Sequence, residues 1–231
     1  MIYAFNFTCD RDWDLRTLML ETYTKYSGFS SWSSVNTDVE LKDYGNGAGW
    51  QASMLKLQYL KKMLSLFPVK DDDFILSVDS DVVFTSPEVF KYIRPEYGII
   101  GIKHRPNYNS HFGDWSHMSG ALIFIRGDIA KRMSALDEST LANIRFRHFK
   151  PYRITENEDV VLSYLARFCE ANYFDLGTVD GLTSGDFENE IIDNRLKSFY
   201  HLNYCPIMFL GEEVTGKWDI PNVLKQKGIE L

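Results

Sequence analysis

The sequence predicts an α/β domain built on a mainly parallel central sheet with helices on both faces. Three observations carry that prediction. Strand-like runs alternate with segments of helical periodicity from one end of the chain to the other. The runs at residues 1–7 and 74–78 are mostly apolar, as strands covered on both faces are. No repeat, low-complexity stretch or linker divides the 231 residues, so one compact unit is expected.

The first strand spans Met1 to Phe7. From Asp12 to Tyr26, the residues Leu15, Leu18, Met19, Thr22, Tyr23 and Tyr26 fall at helical spacing, and Gly28 closes that helix. A short second strand is expected within Phe29–Val35. A polar, glycine-containing stretch, 44–49, leads into a helix over about Trp50–Leu66, stopped by Pro68. The strand 74–78 ends at Asp79-Ser80-Asp81. Ser86-Pro87-Glu88 then reads as a helix start, with Ser86 as N-cap and Pro87 at the first helical position. Two more strands are expected at Tyr97–Ile102 and Ala121–Ile125. A helix opens at Asp128, and another covers about Asn157–Ala171, with Val161, Leu162, Leu165 and Phe168 facing inward. Strands at Tyr173–Leu176 and Ser198–Tyr204 complete the set, and 105–118 and 183–194 are the expected mobile loops.

Composition narrows the functions. With 45% hydrophobic and 25% charged residues the chain is ordinary globular protein rather than disordered. Aromatics reach 15%, enough to fill a core and leave some for stacking on sugars or bases. A net charge of −7 without a basic stripe argues against a nucleic-acid partner. An acidic protein still accommodates a nucleotide if a divalent cation bridges the charges. Cys9, Cys169 and Cys205 are widely spaced without a CxxC pair, which does not describe a disulfide framework. No apolar run approaches the ~20 residues of a membrane span, and no signal peptide is visible; cytoplasmic chemistry, or a domain excised from a longer chain, is the expectation.

The densest chemistry follows the strand FILSV. Open α/β sheets bind ligands beyond the carboxyl ends of their strands. Asp79 and Asp81 stand there two residues apart, so in an extended segment both face the same side. Mg²⁺ or Mn²⁺ takes such oxygen ligands and shares its shell with substrate phosphates. The other reading of the pair is a turn cap; placement directly after a buried strand favours the metal.

The stretch ILSVDSDVVFTSPEVF resembles the D-x-D region of GT-A glycosyltransferases, and most of all the retaining galactosyltransferase and glycogenin-like enzymes. Three further segments agree in order and spacing. His117-Met118-Ser119-Gly120-Ala121 resembles the strand beneath the donor sugar. Glu156-Asn157-Glu158-Asp159-Val160 resembles the acidic motif opening the helix beside the reacting carbon. Phe199-Tyr200-His201-Leu202-Asn203 resembles the late strand whose histidine completes the metal shell. The likeness covers about residues 1–205. A fainter one is to glycosyltransferase domains encoded by large DNA viruses.

The resemblance implies a single GT-A domain, with a nucleotide and metal half over about 1–102 and an acceptor half over about 103–231. It implies Asp79, Asp81 and His201 as ligands of Mn²⁺ or Mg²⁺, and Glu158 and Asp159 as catalytic carboxylates. The nucleotide would meet Phe5, Asn6, Phe7, Thr8, Lys56, Asp79 and Ser80. Donor sugar or acceptor would meet His104, Trp115, Ser119 and Gly120. Each has a plainer alternative: Phe5 and Phe7 as core, Lys56 as a solvated helix lysine, His201 as a hydrogen-bonded core residue, Glu158 and Asp159 as first-turn acids. Two departures stand out. Met54 occupies the place of the family's arginine near Lys56, and HLNYCPIMFLG replaces the glycine- and lysine-containing stretch expected after His201.

The implied reaction transfers a sugar from a nucleoside diphosphate, UDP foremost, to a saccharide hydroxyl. Donor sugar, acceptor and anomeric outcome stay open. The rival functions are a non-catalytic nucleotide-sugar or glycan-binding module on the same fold and a sugar nucleotidyltransferase. The second would carry a glycine-rich loop after the first strand, where this chain reads NFTCDRDWD.

Overall fold

The computed structural model describes residues 1–36, 49–103, 117–150, 156, 158–179, 199–201 and 208–231. Strands β1 (Ile2–Thr8), β2 (Trp32–Asn36), β3 (Phe74–Asp79), β5 (Ile99–Lys103), β6 (Met118–Arg126) and β7 (Tyr173–Asp175) form one sheet. Its order is β2-β1-β3-β6-β5-β7. Pairs β1–β2, β1–β3 and β5–β7 are parallel; β6 runs against both β3 and β5. The sheet is therefore mixed, with β6 the one strand reversed. Both short strands β4 (Val82–Phe84) and β8 (Phe199–His201) pair with each other, antiparallel, outside the main sheet. A second small ladder joins β9 (Met208–Phe209) to β10 (Glu212–Glu213).

Alternation along the strands builds two cores. On one face Tyr3, Phe5 and Phe7 of β1, Ile75 of β3, and Ile123 and Ile125 of β6 pack together. They meet Leu57, Leu60 and Met63 of α2 (Gly49–Leu66), Ile129 and Met133 of α3 (Gly127–Ser134), and Val161 and Leu165 of α5 (Glu158–Phe168). On the other face Leu76, Val78, Leu122 and Phe124 meet Met19, Leu20 and Tyr23 of α1 (Trp13–Ser27). Both faces are covered, as the mostly apolar strands require.

Helix α1 ends as its sequence predicts: Gly28 adopts a left-handed φ of 72° and its N–H returns to Thr24. Other expectations need correction. Ser86-Pro87-Glu88 opens a 3-10 turn, Glu88–Tyr92, with Pro87 in the N-cap position, and the chain is extended again at Ile93. Phe168 is 48% exposed; at the end of α5 the inward place goes to Cys169. Helix α4 (Glu138–Ile144) was not anticipated, although Asp137 caps it by accepting the Thr140 N–H at 2.7 Å. Nor was α6 (Ile220–Gln226). Loop 183–194 lies outside the described residues, as does 105–118 apart from its last two.

The start of α3 is pinned to the turn before β3. Gly127 N–H donates to Asp73 C=O at 2.7 Å and Asp128 N–H to Asp71 C=O at 3.1 Å. A Cβ on Gly127 would lie 1.9 Å from the Lys70 carbonyl oxygen, so backbone must move to admit it. Gly127→Ala is expected to cost about 2–3 kcal/mol, read as a fall in melting temperature of roughly 5–10 °C for a chain this long.

Candidate active site

Strand direction assembles the site. β1 and β3 run parallel and end at the same sheet edge, at Thr8 and Asp79. Because β6 runs the other way, its beginning, Met118-Ser119-Gly120, arrives at that edge too. The D-x-D turn is fastened to β1 by the Ser80 N–H, which donates to Phe7 C=O at 3.0 Å. Above β6 sits the start of α5, tied to it by Ser163 Oγ, which accepts the Met118 N–H at 2.9 Å. Ahead of α5, Glu156 receives a two-pronged contact from Arg145, at 2.8 and 2.5 Å. That guanidinium holds the Glu156 carboxyl below the usual carboxylate range. Glu156 is thus an anchor for the acidic motif, distinct from Glu158 and Asp159.

Lys56 joins these segments. It lies on the inner face of α2 and is 2% exposed. Its Nζ is 2.6 Å from Glu158 Oε1 and 3.5 Å from Asp79 Oδ1, and donates to the Gly120 carbonyl at 3.3 Å. The ring of Phe7 lies 5.1 Å beneath the ammonium. Burial by itself lowers such a pKa. The charges of Asp79 and Glu158, the hydrogen bond to Glu158 and the charge of Asp159 outweigh it and hold the ammonium above the ordinary lysine range. Gly120 permits the approach: a Cβ there would stand 2.9 Å from Glu158 Oε1 and 3.3 Å from Asp159 Cβ. Asp159 also meets His117, Nε2 to Oδ2, at 3.4 Å.

A second buried ammonium reaches the other carboxylate of the D-x-D turn. Lys217 Nζ lies 3.0 Å from Asp81 Oδ2 and 2.9 Å from Asp12 Oδ2. Its turn is rigidly built: the Asp219 carboxylate accepts the Thr215 hydroxyl at 2.7 Å, the Thr215 N–H at 2.8 Å and the Gly216 N–H at 3.2 Å. Among the described residues, then, Asp12, Asp79, Asp81, Glu158 and Asp159 share this edge with Lys56 and Lys217. Negative charge is in excess.

No protein-family model matches the sequence, and no curated protein matches it. Solved structures do match. One is a glycosyltransferase involved in glycosylation of the major capsid of PBCV-1, with TM-score 0.53 and 16% identity over 88% of this chain and 95% of that one. Mouse xyloside xylosyltransferase 1 in its apo form gives 0.52 and 10%, over 88% and 98%. An active-site mutant of LgtC gives 0.53 and 9%, over 98% and 96%. The fold is the GT-A fold of the glycosyltransferases.

On this GT-A framework the sequence-derived residues sort into groups. Asp79, Ser80, Asp81, Lys56, Ser119, Gly120, Glu158 and Asp159 lie along one edge, as the preceding contacts describe. Phe5 and Phe7 belong to the core, with ring centroids 5.5 Å apart. Asn6 is buried and accepts from the Ser34 hydroxyl, and Thr8 is buried at the end of β1. Lys56 is not the solvated helix lysine of the alternative reading. His201 pairs through its backbone with Val82, the residue after Asp81; its side chain lies outside the described residues. His104 and Trp115 lie outside them as well.

Three residues of the edge were missed. Asp12 and Lys217 come from segments far from the motif, and no spacing links them to Asp81. The signal for His117 was its place at the head of the Ser119-Gly120 strand.

Asp79 and Asp81 are the residues of this edge that would hold a divalent ion. Among the described residues no three or more His, Cys, Asp or Glu side chains converge into a cage. Mg²⁺ and comparable ions bound with substrate phosphates take one or two carboxylates from the protein. Asp79 and Asp81 would be those two, and Asp81 already holds a cation in the form of the Lys217 ammonium.

Replacing Lys56 by Met leaves Glu158 and Asp79 without their shared ammonium. The expected cost is about 1–3 kcal/mol, below that of a fully buried pair because both carboxylates are partly open to water. In a cycle with Glu158→Gln, thermal melts should give a coupling of at least about 0.5 kcal/mol.

Proposed function

We propose that this chain is a divalent-metal-dependent glycosyltransferase that moves a sugar from a nucleoside diphosphate to a saccharide hydroxyl. The fold it shares with enzymes of sugar transfer supports that class of reaction. The observation that carries the reading is the excess of carboxylates at the ligand-binding edge, divided into a pair after β3 and a pair at the start of α5. A diphosphate would be repelled by that edge unless a cation came with it. Glu158 and Asp159, by contrast, lie against the backbone of Gly120 at the start of β6.

In this reading Asp79 and Asp81, with His201, hold Mn²⁺ or Mg²⁺. The ion neutralises the diphosphate and stabilises it as a leaving group. Ser119 and Gly120 floor the donor-sugar pocket. Asp159 receives the acceptor proton or steadies positive charge at the reacting carbon, and its contact with His117 orients it. Glu158 is held in place by Lys56, 2.6 Å away, and its role is to position the start of α5. UDP is the proposed nucleotide, from the resemblance to the galactosyltransferase and glycogenin-like enzymes. The acceptor enters from the side of 103–231, where His104 and Trp115 are the proposed contacts.

Calorimetric titration with UDP and GDP, each with and without Mn²⁺, should show metal-dependent binding of UDP that Asp81→Asn abolishes. With the correct donor, Asp159→Asn should lower kcat by about 10²–10⁴ while leaving donor affinity near that of the unaltered protein. Absence of nucleotide binding under every metal condition would contradict the proposal. Nucleotide binding without any donor turnover would favour the binding-module alternative.

A further inference from the structure

The C-terminal segment forms a strap. Leu210, Val214, Ile220, Val223 and Leu224 pack on Leu15 of α1 and Val83 of β4. At one end of α1 Lys217 lies between Asp12 and Asp81; at the other, Lys25 Nζ and Tyr26 Oη donate to the Glu230 carbonyl at 2.6 and 3.0 Å. The strap is therefore fastened at both ends, and one fastening uses a carboxylate assigned above to the metal.

We propose that Lys217 is a resident counter-cation on Asp81 which a divalent metal ion must displace, so that metal binding and closure of the strap compete. This inference rests on the reading of Asp81 as a metal ligand. Lys217 Nζ approaches the Asp81 oxygen to hydrogen-bond distance and is 7% exposed in its side chain. A metal ion in that oxygen's coordination sphere sits within a few ångströms of any ammonium still bound there, and like charges so placed repel strongly where water is scarce. One of the two cations gives way.

Before the metal arrives, Lys217 offsets part of the repulsion between Asp12 and Asp81 and keeps the strap down. Once the metal is bound, the ammonium no longer ties the 215–219 turn to the D-x-D turn. Linkage makes the effect reciprocal: whatever the metal takes from the strap, the strap takes from metal affinity.

The test reads Mn²⁺ binding directly, by electron paramagnetic resonance of the free ion, with Mn²⁺ alone and with Mn²⁺ plus UDP. Lys217→Met should bind Mn²⁺ alone at least about tenfold more tightly than the unaltered protein, a change equivalent to 1.4 kcal/mol. Lys217→Arg, which keeps the charge, should stay within about twofold of it. Hydrogen exchange on the unaltered protein gives a readout that needs no variant: Mn²⁺ should speed exchange of amides 215–219 and leave those of β3 unchanged or slower. Equal Mn²⁺ affinity in Lys217→Met, or protection of 215–219 by Mn²⁺, overturns the competition and leaves the metal site standing. Absence of Mn²⁺ binding by both proteins, with and without UDP, removes the metal reading and the competition with it.

Discussion

The ammonium of Lys56 is the constraint on which this site depends. It reaches Glu158 on α5, Asp79 at the end of β3 and the Gly120 carbonyl on β6. Three segments far apart in sequence are held by one buried charge. Such a charge is tolerated in the interior only because carboxylates surround it. Loss of any member leaves the others uncompensated. That mutual dependence is what fixes Glu158 relative to Asp79 and the backbone of Gly120.

Strand direction supplies the rest of the geometry. Had β6 run parallel to β3, Ser119 and Gly120 would lie at the opposite edge from the D-x-D turn. Its reversal brings a glycine under Glu158, where a Cβ would stand only 2.9 Å from the carboxylate. The acidic edge therefore combines a close backbone approach with a concentration of negative charge. Lys217 acts on the other side of the D-x-D turn, on a segment that the sheet itself does not position. The two lysines divide the labour: Lys56 joins α2, β3, β6 and α5, and Lys217 joins the C-terminal segment to Asp12 and Asp81.

Much of this was legible in the sequence. The strand–D-x-D order placed Asp79 and Asp81 correctly because a run of apolar residues ending in two acids has few places to go in an open sheet. The mixed sheet was not legible, since alternation of strands and helices does not reveal that β6 runs antiparallel to both β3 and β5. Lys56 carried a signal that was readable: it falls between Ser53 and Leu60 on the stripe that includes Leu57 and Met63, so the helix period itself turns it inward. Lys217 carried none, because its partner Asp81 stands 136 residues away and only the folded chain joins them. The short helices α4 and α6 escaped because seven residues barely span two turns of periodicity, although Asp137 and Asp219 mark their starts. Phe168 misled for a related reason: near a helix end the inward position shifts by one residue to Cys169.

The most direct measurement of the account is a crystal structure of the protein with UDP and Mn²⁺, read through the anomalous signal of the metal. The account predicts a single strong Mn²⁺ peak on the Asp81 carboxylate, with the diphosphate on the metal and its outer phosphate directed toward Gly120 and Glu158. Lys56 would remain on Glu158. A nucleotide bound at another edge of the sheet, or bound here with no metal against Asp81, would contradict it.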